Sequence, residues 1–128
     1  MGLHSDLPLY KTVYELLQLI VRLVKNMPRE FKQALGGELR DQCLKITILI
    51  LRANVAQDKQ PHLMEIIERK ETIELLIRLS CDLQLISRAQ YAQAIELVAS
   101  VGKQTNGWRT QQSRQTHEGH GHHDRPLF

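Results

Sequence analysis

The stretch KITILILRANVAQDK, residues 45–59, decides the fold. Its centre, Ile46 to Leu51, reads ITILIL, five large aliphatics and one Thr. That run is too short to span a bilayer and too apolar for a surface helix that buries one face. Its β-branched residues suit a strand, but the flanks favour a helix. Leu35, Leu39, Cys43, Ile46, Ile50 and Ala53 recur at steps of three and four. Leu44, Ile48, Leu51 and Val55 form a second set with the same steps. At 100° per residue the two sets lie well over ~90° apart around the axis. One stripe can face a bundle core. The other points to a subunit interface; the plainer reading is a wide core-facing side with a partly exposed aliphatic.

Working outward, helical periodicity covers most of the chain. Helix 1 is expected from about Pro8 to Asn26, with Pro in the first turn and Ser5 or Asp6 as a nearby cap. Its apolar face is Leu9, Val13, Leu16, Leu17, Ile20, Leu23, Val24 and Met27. Pro28 ends it, because the residue before Pro avoids helical angles. Helix 2 begins between Arg29 and Glu38, with Gly36-Gly37 as its true entry or as a kink after a lead-in turn, and ends near Ala56. Helix 3 runs from near Pro61 to about Leu83, with Asp58 as a possible cap. Helix 4 opens on Ser87-Arg-Ala-Gln90, an S-x-x-Q capping box. Its expected apolar face is Tyr91, Ile95, Val98, Val101 or Gly102, and Trp108.

Short connections between such helices predict antiparallel neighbours. The expected fold is all-α, an antiparallel up-down-up-down four-helix bundle over residues 8–112 that assembles into a ring-like homo-oligomer. Residues 1–7 read as an N-terminal extension. From about Thr110 the aliphatics thin out, and residues 113–128 read as a flexible His-rich tail.

Composition narrows the function classes. The chain has 128 residues, one domain's worth, and aromatics make up only 5%, which favours aliphatic helix packing. No apolar run is long enough to cross a membrane, and no signal peptide is visible at the start. Cys43 and Cys81 each sit in an apolar helical pattern and read as free thiols, so a cytoplasmic location is expected. Net charge is +3 but unevenly spread. Residues 9–57 hold eight Lys/Arg against four Asp/Glu, and residues 58–99 five against seven. One half is basic and the other acidic, which suggests an anionic partner on one side.

Lys11, Arg22 and Lys25 share the polar side of helix 1 with Glu15 and Gln18. Arg29 and Lys32 follow at the turn, and Lys45 and Arg52 lie two turns apart on one edge of helix 2. Cations in that pattern neutralise phosphates and release counterions; the competing reading is a solvated face. Trp108, Tyr10, Tyr14 and Tyr91 could stack on bases, but packing at the edge of the core is the simpler role. Glu65, Glu68, Glu71 and Glu74 could serve acid–base chemistry or a metal. With Arg69, Lys70 and Arg78 among them, they read instead as an ion-paired face. His117, His120, His122 and His123 could take Zn²⁺, yet no zinc-finger spacing accompanies them. Asn54 reads as a structural residue at the end of helix 2. No nucleophile–base pair, phosphate-binding glycine loop or metal motif is present, and no cofactor is implied.

The segments LPLYKTVYELL (7–17), KNMPREFKQALGGELRDQCL (25–44), ILRANVA (50–56) and VGKQTNGW (101–108) lie in order along helices 1, 2 and 4. Together they resemble the Avd proteins, the accessory variability determinants of diversity-generating retroelements. The Avd proteins belong to a wider family of four-helix bundles that includes proteins encoded in intervening sequences of 23S ribosomal RNA genes. The resemblance implies a protein that is not an enzyme. It implies a barrel-like homopentamer that binds RNA, and DNA as cDNA, through basic surface and associates with the element's reverse transcriptase. The His-rich tail lies outside the shared pattern. Two rivals stand beside this reading. One is a purely structural bundle of the intervening-sequence type; the other is a nuclease using the helix 3 carboxylates.

Overall fold

The computed structural model describes residues 7–119, and their side chains through Arg114. The elements are α1 (Pro8–Lys25), α2 (Arg29–Phe31), a π-helical turn (Lys32–Gly36), α3 (Gly37–Val55), α4 (Gln60–Asp82) and α5 (Arg88–Gly119). The four long helices carry the fold, and there is no strand among the described residues.

Local chemistry sets the helix ends. Pro8 opens α1 where a missing N–H costs nothing. The capping position is Leu7, with no side-chain cap bond. Pro28 takes extended angles and stops the helix, while Arg22 and Lys25 in the last turn complement its dipole. The Gly36-Gly37 pair marks the passage from the lead-in turns to the regular helix: the π turn ends at Gly36 and α3 starts at Gly37. Both glycines hold ordinary right-handed helical angles, and the helical run starts earlier, at Arg29. The irregularity is the π turn that ends at Gly36, which admits an extra residue and rotates the faces that follow.

α3 ends under a cation. Lys59 Nζ donates to the carbonyls of Ala53 (2.7 Å), Asn54 (3.4 Å) and Ala56 (2.7 Å), satisfying acceptors the helix leaves open. Asp58 Oδ1 accepts from the Gln60 N–H at 3.2 Å, as expected of a cap. The box at the start of α5 closes both ways. Ser87 N–H donates to Gln90 Oε1 at 2.8 Å, and Gln90 N–H to Ser87 Oγ at 3.0 Å.

α1 packs on α3 and α5, and α4 packs on α3 and α5, so the four helices close a cycle around one core. Leu16, Ile20, Ile46, Ile50, Leu63, Ile66, Ile73, Ile77, Val98 and Val101 fill it. Several details differ from the periodic reading. Leu19 and Leu49 are buried, whereas Leu17 sits at the margin. On α5 the innermost line is Ala94, Val98, Val101 and Thr105, while Tyr91, Ile95 and Trp108 pack at its edge. The two buried hydroxyls among the described residues are satisfied: Ser80 Oγ donates to Leu76 O (2.8 Å) and Thr105 Oγ1 to Val101 O (2.7 Å). Cys43 and Cys81 are free thiols; burial pushes Cys43 up to about 12, so it is inert. α5 runs on past Thr110 to Gly119 as continuous helix. His117 lies within that helix; His120, His122 and His123 lie outside the described residues, as do Ser5 and Asp6. Among the described residues no helix is long and apolar enough to cross a membrane.

Candidate functional site

The two helical sets read from residues 35–55 part as their spacing demands. Leu35, Leu39, Cys43, Ile46, Ile50 and Ala53 are all buried. On the opposite side of α3, Leu44 is 50% exposed, Ile48 47% and Val55 74%, with Leu51 half-buried between them. The chain's own core leaves the second stripe largely open, with Leu51 alone of the four partly covered. Tyr14 and Val21 on α1, and Leu75, Leu79 and Leu83 on α4 and its C-terminal cap, are also exposed apolar groups.

The basic residues divide by position. Lys11, Arg22 and Lys25 are exposed on the outward side of α1, opposite Leu16 and Ile20. Arg29 is exposed and Lys32 half-buried at the turn that follows, so Arg22, Lys25, Arg29 and Lys32 gather at one end of the bundle. Lys11 stands about 16 Å from Arg22 along the axis, from the helical rise. Lys45 and Arg52 lie exposed on α3, on a different helix from the α1 stripe. Among the described residues only Lys45 of these seven makes an ion pair, with Asp41 at 3.0 Å. The other six carry uncompensated charge, which a polyanion can use. Tyr10 and Tyr14 stack at 6.4 Å between ring centroids. Tyr10 packs against the core, whereas Tyr14 is exposed and not a core-edge residue.

Two of the four glutamates of α4, Glu65 and Glu74, are ion-paired. Arg69 meets Glu65 at 2.9 Å, and Lys70 meets Glu74 at 3.6 Å. Arg69 Nη1 also donates to Gln42 Oε1 (3.2 Å), and Gln42 Nε2 to Glu38 Oε2 (2.7 Å), a polar seam linking α3 to α4. Among the described residues no group of three or more His, Cys, Asp or Glu side chains is placed to hold a metal.

Sequence reasoning missed two features. One is the Lys59 clamp on α3. The other is a cleft where Arg109 and Arg114 on α5 meet the start of α4. Neither has a local signature, since each depends on which helix end lies beside which face.

These features define a class: a small helical bundle that carries an unpaired basic surface and an unspent apolar stripe. The chain belongs to the bAvd-like family, whose model matches residues 8–112. That membership fits an accessory protein of a diversity-generating retroelement, from a family of accessory, non-catalytic proteins. No curated protein matches the chain.

Proposed function

We propose that this chain is a non-catalytic adaptor of a diversity-generating retroelement, working in the cytoplasm as a homo-oligomer, a pentamer by analogy with its family. It brings template RNA and cDNA to the element's reverse transcriptase and so supports mutagenic copying and retrohoming. The observation that carries this reading is the family match across the bundle. Lys11, Arg22, Lys25, Arg29, Lys32, Lys45 and Arg52 form the nucleic-acid surface, and Leu44, Ile48, Leu51 and Val55 the subunit contact. Six unpaired cations support the first assignment and the exposed stripe on α3 supports the second. An up-down-up-down order is supported by two cross-links. Gln104 Nε2 reaches Thr12 Oγ1 (2.7 Å), and Gln60 Nε2 reaches Arg109 O (3.1 Å), so late residues of α5 lie beside the starts of α1 and α4. We place residues 8–112 in the bundle and treat residues 113–128 as an appendage to it.

The test is RNA binding against salt, using the wild type and the triple variant Arg22→Gln/Lys25→Gln/Arg29→Gln, together with co-purification of the reverse transcriptase. Phosphate contacts make log K fall linearly with log salt, and removing each contact lowers the slope by about one. We expect a steep wild-type slope that is about three smaller in the triple variant. A flat wild-type response with no retained polymerase would leave the purely structural bundle of the intervening-sequence type.

A further inference from the structure

We infer that the cleft between the first residue of α4 and the late turns of α5 is a binding site for a phosphate monoester, gripped by Arg109 and Arg114. The cleft measures about 670 Å³ and is lined by Gln60, Asn106, Arg109, Thr110, Ser113 and Arg114. The five α5 residues stand at i, i+3, i+4, i+7 and i+8, so they form one stripe down a single helix face. Among the described residues every lining side chain is polar and none is acidic. That lining does not suit an apolar cofactor, which needs hydrophobic walls, and its described side chains offer a metal cation no anionic or imidazole ligand.

The two arginines are charged without compensation. Neither makes an ion pair among the described residues. Asp58, at the entry to α4, accepts from the Gln60 N–H and does not line the cleft. Arg109 is half-buried, and its guanidinium is only partly satisfied. Nη1 donates to Asn106 Oδ1 at 3.0 Å, whereas Nε is buried with no acceptor. A cation partly removed from water with a spare donor is costly unless an anion completes it. Turning the guanidinium into the cleft gives up the Asn106 bond and takes Nε out of its buried, unbonded position. A ligand oxygen that draws the side chain into the cleft then supplies a bond the protein does not. Arginine's planar fork suits two oxygens of one phosphate. Two arginines match the roughly double charge of a monoester near neutral pH. Thr110 and Ser113 add hydroxyl donors to the remaining oxygens. Gln60 Nε2, bonded to the Arg109 carbonyl, holds this part of α5 against α4.

A monoester can come from free phosphate, a nucleotide or the 5′ end of a strand, and the experiment separates these. The arginine Nε–H resonances of the full chain are followed by NMR during titration with inorganic phosphate, 5′-AMP, a 5′-phosphorylated trinucleotide and its 5′-hydroxyl counterpart. We expect a saturable shift at Arg109 with the first three and none with the 5′-hydroxyl strand. The tightest of the three identifies the source. Arg114→Gln, at an exposed position, is expected to weaken binding about ten-fold, the usual cost of one charged hydrogen bond. Arg22→Gln/Lys25→Gln/Arg29→Gln is expected to leave it unchanged, so this site and the basic surface stand or fall separately. A linear, unsaturated shift, an equal Arg109 shift with the 5′-hydroxyl strand, or wild-type affinity at Arg109 in Arg114→Gln would each overturn the assignment.

Discussion

Gly36 shows what one missing methyl does for this fold. Its backbone angles are ordinary for a helix, so conformational freedom is not the reason for it. A Cβ built there would run into the Cγ1 methyl of Val24. The glycine lets the π turn and the last turns of α1 meet closely, just where the chain reverses. Replacing it with alanine gains ~1 kcal/mol in helix propensity and meets overpacking of about 1–3 kcal/mol. We expect Gly36→Ala to lower the urea unfolding free energy by about 1 kcal/mol net. In a Val24→Ala background the space opens and the same change is expected to stabilise. An unchanged sign in that background would place the cost elsewhere than at Val24. The sequence marked the glycine pair but could not say why it is there, because Val24 is distant along the chain. The core of α5 was misjudged for a related reason. Periodicity favours the large residues Tyr91 and Ile95, but close packing admits Ala94 and Thr105 innermost and leaves the bulky rings at the rim.

Among the elements, α4 ends in the least comfortable way. Gln84 has φ of 63°, the left-handed region where a Cβ is penalised. The geometry is that of a helix stop. Leu85 N–H reaches back to Ser80 O at 2.8 Å, and Gln84 N–H to Cys81 O at 2.9 Å, closing carbonyls that would otherwise be open. Glycine is the usual occupant of such a position. We expect Gln84→Gly to raise stability by about 1 kcal/mol, read as a higher thermal midpoint; a lower midpoint would mean that the Gln84 side chain holds the turn. Apart from the far end of α5, which runs on to Gly119, most element ends were open to reading, because caps and prolines act within a few residues. The Ser87–Gln90 box and Asp58 are examples. The Lys59 clamp was not readable. It depends on the chain folding back over the end of α3, and nothing in the pattern ITILILRANVAQDK announces that turn. The Arg109–Arg114 cleft is of the same kind: the residues share a face of α5, but their surroundings come from α4.

For the whole molecule, the exposed apolar residues raise the question of closure. They sit on α1 (Tyr14, Val21), α3 (Leu44, Ile48, Val55) and α4 with its C-terminal cap (Met64, Leu75, Leu79, Leu83), and among the described residues none is on α5. Burying such a side chain fully is worth ~1.5–3 kcal/mol, enough in combination to drive association. A closed ring with an odd number of subunits cannot pair one patch with itself; each copy must offer two different surfaces. If the α3 stripe is one, the α4 stripe is the larger candidate for the other. We expect Ile48→Asp and Leu75→Asp each to reduce the mass measured by light scattering to that of a monomer, with helical content unchanged. Each variant keeps the surface the other has lost. An equimolar mixture is therefore expected to give dimers and stop there, since one sound contact joins the two chains and no further copy can add. Full-sized assemblies from Leu75→Asp alone would pass the second surface to Tyr14 and Val21 on α1. An Ile48→Asp chain that kept its oligomeric mass would remove the α3 stripe from the interface altogether.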